Sequence, residues 1–359
     1  MVGYFCATPF HITAAITMQS EMFADEPATL VVLDHFNVDE ALLERIRATG
    51  IFAEVLLYDN RYRTKLDNAK RLLRTFFPNR LMRDLANTTA FSHFVCFALN
   101  FIDLTYMVKR YEKRGIDCEF SFGDDGVGTY IRPGIYKPKP LARRLLRLVG
   151  RLSLVERVSR VYTYKPEFMV ANREYDVYPI VQSERACAKR REAVHTIWPV
   201  GDDVDIDGKI LYFEQPHECG EGCEELRIEQ ESLRLAVDKL ATEGVIKMHP
   251  RSTAEPQWSE FTILKAKMPY EVMLLQKQCN PKLMMTVSST ALFSTYLFDD
   301  LPAATCPAVL LYHLMPQKPG SLAGMLDELC DTINGAQETP CIHNVADQAA
   351  LVQLVEEIK

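Results

Sequence analysis

With 359 residues, 48% of them apolar and 25% charged, the chain is too long for one small cross-linked module and too apolar for a disordered one. It has the size of two domains that each bury a core. The net charge of −7 is unevenly held: residues 1–180 carry 25 Lys+Arg against 21 Asp+Glu, and residues 181–359 carry 16 against 27, which argues against a duplex nucleic-acid binder with its clustered basic face.

In chain order, the N-terminus MVGYFCATPF lacks the basic and apolar regions of a signal peptide and reads as a first strand, Val2–Ala7. Short apolar runs then alternate with helical periodicity, the signature of parallel sheets covered by helices. Strands are predicted near Thr29–Leu33, Ala53–Leu57 and Asp117–Phe122, with helices over Ile12–Phe23, Asp39–Thr49, much of Thr64–Leu85 and Phe97–Arg114. The most apolar window, Phe91–Val108, contains His93, Asn100 and Asp103 and falls short of a membrane span, so a buried helix is expected there. Two stretches, Arg61–Arg83 and Pro138–Arg160, hold eight and seven basic residues at helical spacing. They suit a solvated face or contact with an anionic membrane surface, the latter through Arg143–Arg160 above all.

A second series follows Trp198–Gly208. Strands are predicted near Ile210–Phe213, Val245–Met248, Phe261–Leu264, Leu283–Val287 and Ala308–Tyr312. Helices are predicted over Cys223–Thr242, Tyr270–Gln278, Thr290–Phe298, Ser321–Ile333 and Ala346–Ile358. The expected architecture is α/β, two Rossmann-like domains (1–200 and 201–359) facing across a cleft, with the terminal helix packing back on the first. The ten cysteines show no framework spacing, which implies a reducing, cytoplasmic compartment. His217 with Cys219 and Cys223 lacks the second ligand pair of a zinc site, so no metal is expected.

Three clusters at predicted strand ends carry candidate chemistry, and each also has a plain structural use. Asp124-Asp125-Gly126 follows the run ending at Phe122. Asp-Gly is a turn dipeptide, but ligands of open α/β sheets collect outside the carboxyl ends of strands, where one such carboxylate suits a general base. Lys247-Met248-His249-Pro250-Arg251 ends another strand; proline biases His249 to extended backbone, and the flanking cations suit a phosphate contact or general acid as well as a structural histidine. Ser288 and Ser289 precede Thr290, where hydroxyls cap a helix or help its N–H groups hold an anion. Glu271, in the turn opened by Met268-Pro269-Tyr270, suits a ribose diol.

The order of these clusters resembles the bacterial sialyltransferases, most of all the lipooligosaccharide and capsule type of glycosyltransferase family 52. The acidic-acidic-Gly, His-Pro and Ser-Ser motifs are similar to those of family 80 and of the polysialyltransferases. The opening Ala7-Thr8-Pro9-Phe10-His11 resembles family 52 starts, and Pro269-Tyr270-Glu271-Val272-Met273 resembles a family 80 segment. The resemblance implies a GT-B fold and inverting, metal-independent transfer from CMP-sialic acid to a galactose-type hydroxyl of a surface glycan. By position it makes Asp125 the base and His249 the acid or hydrogen-bond donor to the departing phosphate. Ser288 and Ser289 would hold that phosphate, with Pro250 and Lys247 beside them, and Glu271 the cytidine ribose. Asp124 and Gly126 would support the base, and Thr8, His11, His35 and Asn37 stand at strand ends where an acceptor would lie. Lys247-Met248 stands where family 80 relatives have Gly before the His. A lipid-linked acceptor, a homodimer and peripheral contact with the inner face of the plasma membrane are compatible with the resemblance. The rival readings are a GT-B enzyme with another nucleotide-sugar donor, an epimerase or hydrolase of that fold, and a non-catalytic assembly protein docked on a membrane.

Overall fold

A computed structural model describes residues 1–34, 36, 38–58, 78–97, 102–131, 157–158, 160–170, 175–199, 205–215, 224–249, 255–264, 269–277, 279–301, 305–316 and 323–359. The basic run of Arg61–Arg83 up to residue 77, nearly all of Pro138–Arg160, the His217/Cys219/Cys223 group, His35, Asn37 and Pro250 lie outside them. The chain forms two compact units, Met1–Pro166 with Ala171–Trp198, and Glu167–Val170 with Pro199–Lys359.

The first unit is built on seven strands: β1 (Val2–Cys6), β2 (Ala28–Leu33), β3 (Glu54–Tyr58), β4 (His93–Cys96), β5 (Glu119–Phe122), β6 (Arg160–Thr163) and β7 (Asp176–Pro179). They pair in parallel in the order β3-β2-β1-β4-β5-β6-β7, so the winding reverses between β1 and β4. β1 and β2 are buried along their whole length, as strands covered on both faces must be. Each fully buried Val, Leu or Phe there is worth about 1.5–3 kcal/mol over exposure. Thr8 caps the helix Pro9–Glu21, with Pro9 in its first turn. Apart from His11 and Gln19 that helix is apolar or small up to Ser20, and it is buried from Pro9 to Ser20, with helix Glu184–Ile197 packed against it.

The second unit has six parallel strands: β8 (Ile210–Phe213), β9 (Gly244–Lys247), β10 (Thr262–Leu264), β11 (Leu283–Thr286), β12 (Ala308–Leu310) and β13 (Ile342–Asn344). Their order is β10-β9-β8-β11-β12-β13, with its reversal between β8 and β11. Ligands of doubly wound sheets bind at such reversals, outside the carboxyl ends.

Two expectations are corrected. Phe91–Val108 is not one buried helix; it holds strand β4 and, after it, part of the helix Ile102–Arg114. Short apolar runs are ambiguous between buried strand and helix, and His-Phe-Val-Cys pairs with β1 and β5. The helix expected over Thr290–Phe298 is an α-turn, Thr290–Ser294, followed by a 3-10 turn. The terminal helix Gln348–Ile358 buries Leu351 and Val355 in the second unit's core, beside Leu233 and Ala236 of helix Glu224–Leu240. Strands β6, β7 and β13 and the helix Glu184–Ile197 escaped the periodicity reading because they are short or, in the helix, masked by charge. Among the described residues no helix is long and apolar enough to cross a membrane.

Candidate active site

At the carboxyl end of β5 the chain turns through Gly123-Asp124-Asp125-Gly126, with Gly126 at φ +81°, a value that disfavours side chains with a Cβ. Asp124 points inward and is fully buried. One of its oxygens accepts the Gly126 N–H at 2.8 Å; the other accepts the Tyr164 N–H at 3.0 Å and the Tyr130 hydroxyl. Burial raises its carboxyl from 3.8 to about 7, against the pull of these three hydrogen bonds. With both oxygens committed, Asp124 ties the turn to β6.

Asp125 points the other way, and its side chain is 52% exposed. Its N–H donates to Thr129 Oγ1 at 2.8 Å, which fixes the main chain. Its Oδ1 meets Nε2 of His11 at 2.5 Å. His11 was expected to face an acceptor, but its side chain is only 2% exposed, because the whole helix that carries it is buried. Thr8, its neighbour in the expectation, accepts the His11 N–H in the helix cap at 3.3 Å. The structure therefore gathers Thr8, His11, Asp124, Asp125 and Gly126 at one end of the first sheet, with a single carboxylate turned outward.

In the second unit β8, β9 and β11 lie side by side, and their carboxyl ends carry Glu214, Lys247 to His249, and Ser288 with Ser289. Glu214 is 1% exposed, and its Oε2 accepts the His249 N–H at 3.0 Å. The Glu214 N–H donates to the Lys247 carbonyl at 3.1 Å, so Glu214 holds the segment after β9 at two points. Thr286 donates from its hydroxyl to the Phe213 carbonyl at 2.9 Å and accepts the Ser289 N–H at 3.1 Å, joining the ends of β8 and β11. Ser289 Oγ caps the following turn by accepting the Ala291 N–H at 3.4 Å, and Ser288 beside it is half-buried. Glu271 opens helix Tyr270–Lys277 and accepts from Ser294 Oγ at 3.2 Å, so it stands against the same turn.

Glu214 is the residue that sequence reasoning missed. Its only signal is a carboxylate placed directly after the fully buried run Ile-Leu-Tyr-Phe. Among the described residues no three His, Cys, Asp or Glu side chains converge as a metal site would need. The described cysteines are all free, and burial pushes Cys279, Cys306 and Cys330 up to about 12, away from thiolate chemistry. In the first unit, a buried carboxylate that braces a turn and a half-exposed carboxylate held by an imidazole suit proton removal from a hydroxyl; in the second, a sheet end carrying His, Lys, Ser and Glu suits contact with a nucleotide.

A sequence model of the family described as alpha-2,8-polysialyltransferase matches residues 4–308, which includes every one of these residues. No curated protein matches. Among solved structures the chain is similar to a Methanocaldococcus jannaschii UDP-GlcNAc 2-epimerase in complex with UDP-GlcNAc and UDP, at 11% identity and a TM-score of 0.51, over 99% of this chain and 92% of that one. The S. aureus MnaA–UDP structure is similar at 11% identity and a TM-score of 0.51, over 99% of this chain and 87% of that one. At such identity the likeness shows the fold, GT-B with two Rossmann-like domains, and not the reaction.

Proposed function

The chain belongs to the alpha-2,8-polysialyltransferase family, and from that premise, which makes it a glycosyltransferase, we propose that it moves sialic acid from a CMP-activated donor to a glycan hydroxyl, with inversion and without a metal. The observation that carries the chemistry is Asp125: one half-exposed carboxylate at the end of β5, oriented by a buried imidazole. In this reading an Asp125 oxygen takes the acceptor hydroxyl proton while the acceptor oxygen bonds to the anomeric carbon. The bond from that carbon to the phosphate oxygen breaks, and its electron pair leaves with CMP. His249 donates to the departing phosphate, with Lys247, Ser288 and Ser289 around it and Pro250 shaping the loop, and Glu271 takes the ribose hydroxyls. Donors aimed at a phosphate stabilise charge that grows in the transition state, so no divalent cation is required.

Of the groups the sequence resembles, the matched family supports the polysialyltransferases; the narrower family 52 assignment, with its lipooligosaccharide or capsule setting, rests on the order of the clusters and on the opening motif. The family's description favours a sialic-acid-ended acceptor over the galactose-ended one expected from the sequence. For a lipid-linked acceptor, the cations of Arg143–Arg160 suit an anionic membrane face.

The test is CMP release from CMP-N-acetylneuraminic acid in EDTA, with no acceptor, a galactose-ended acceptor or a sialic-acid-ended acceptor. Release stimulated by either acceptor supports the reading, and the better one names the acceptor. Turnover of UDP-sugars in place of the CMP donor would overturn it.

A further inference from the structure

His11 is fixed more firmly than a core histidine needs to be. Its Nδ1 accepts the Ala7 N–H at 3.1 Å, and a backbone N–H can only donate, so the proton of the neutral ring sits on Nε2. That Nε2–H points at Asp125 Oδ1, 2.5 Å away. The ring stacks on Phe97 with centroids 5.3 Å apart and planes 20° apart. Phe97 in turn lies where a Cβ on residue 123 would fall, 2.1 Å from its ring, so Gly123 leaves the space that lets Phe97 back the imidazole. Helix cap, backbone donor, stacking partner and carboxylate together leave the ring one orientation.

We propose that His11 is a positioning residue of the transfer reaction: a neutral imidazole, protonated on Nε2, holds Oδ1 of Asp125 so that the other carboxylate oxygen is the one that receives the acceptor proton. The inference rests on the reading of Asp125 as the base. His11 is not a relay. Passing a proton onward requires a free second nitrogen, and Nδ1 is occupied by Ala7. Through the step described above, His11 keeps its proton, and the acceptor proton ends on Asp125. A neutral donor orients the carboxylate without placing a full positive charge beside it.

Two substitutions in the full chain separate this role from a structural one. His11→Asn places an amide oxygen near the Nδ1 position and keeps the Ala7 bond, but does not reach Asp125. His11→Gln places an amide N–H near the Nε2 position and keeps the Asp125 bond, but loses Ala7. Positioning predicts a kcat about 100-fold lower in the Asn variant at unchanged donor KM, with most of it recovered in the Gln variant whatever the ranking of their melting temperatures. An Asn variant with wild-type kcat, or a Gln variant that falls as far as Asn, overturns the inference while the wild-type enzyme still transfers. A wild-type protein that transfers nothing removes the underlying reading, and the inference with it.

Discussion

In the first unit the imidazole of His11 is buried and the carboxylate of Asp125 is half exposed. In the second unit the carboxylate of Glu214 is buried and the residue it holds, His249, is the more exposed of the two. The same two side-chain types have exchanged places across two similarly wound sheets. The bonds differ as well: His11 grips the Asp125 side chain, whereas Glu214 grips the His249 main chain. A base that takes a proton along one direction needs its oxygen aimed. A group that meets a phosphate with several oxygens needs its strand end held.

That contrast is open to breaking from the second unit first. His249→Ala removes the donor to the departing phosphate, and kcat falls about 10²–10⁴-fold in steady-state CMP release; a loss under tenfold would leave the exposed imidazole without a chemical role. Next in size is the buried acid beside the base. The folded chain holds a proton on Asp124 up to a pH of about 7, against 3.8 ordinarily. Its share of stability is therefore present below about pH 4 and lost as pH rises through 7. Denaturant unfolding of wild type and Asp124→Asn between pH 4 and 8 should show the wild type losing about 4 kcal/mol relative to the variant, in proportion to the shift; a constant difference would mean that Asp124 is ionised throughout.

The smallest expected effect concerns Glu214. Glu214→Ala strands the His249 N–H in a buried site and costs about 1–3 kcal/mol of stability. Glu214→Gln keeps an acceptor there and recovers most of it. Equal losses in both variants would show that charge, and not the hydrogen bond to His249, is what the site needs.

Much of this was legible before any coordinates, for a physical reason. Runs such as Val2–Cys6, Ile210–Phe213 and Leu283–Thr286 are buried on both faces and so are apolar without interruption, and motifs following them fall at sheet ends automatically. Asp125 and His249 are candidates on that ground. What stayed hidden depends on packing. His11 follows a strand like an acceptor contact, but its helix lies inside the unit beneath Glu184–Ile197, which local pattern does not reveal. Glu214 reads as the first polar residue of a loop, since its bond to His249 spans 35 residues. β4 reads as part of a helix because four residues, His-Phe-Val-Cys, are too few to show a period.

The most direct measurement is acceptor-stimulated CMP release from CMP-N-acetylneuraminic acid by wild type and Asp125→Asn, in EDTA and with donor saturating. The assigned role predicts stimulated release from the wild type and a kcat about 10²–10⁴-fold lower in the variant, with the melting temperature of this half-exposed position nearly unchanged. Wild-type turnover in the Asn variant would contradict it and move the base to another residue.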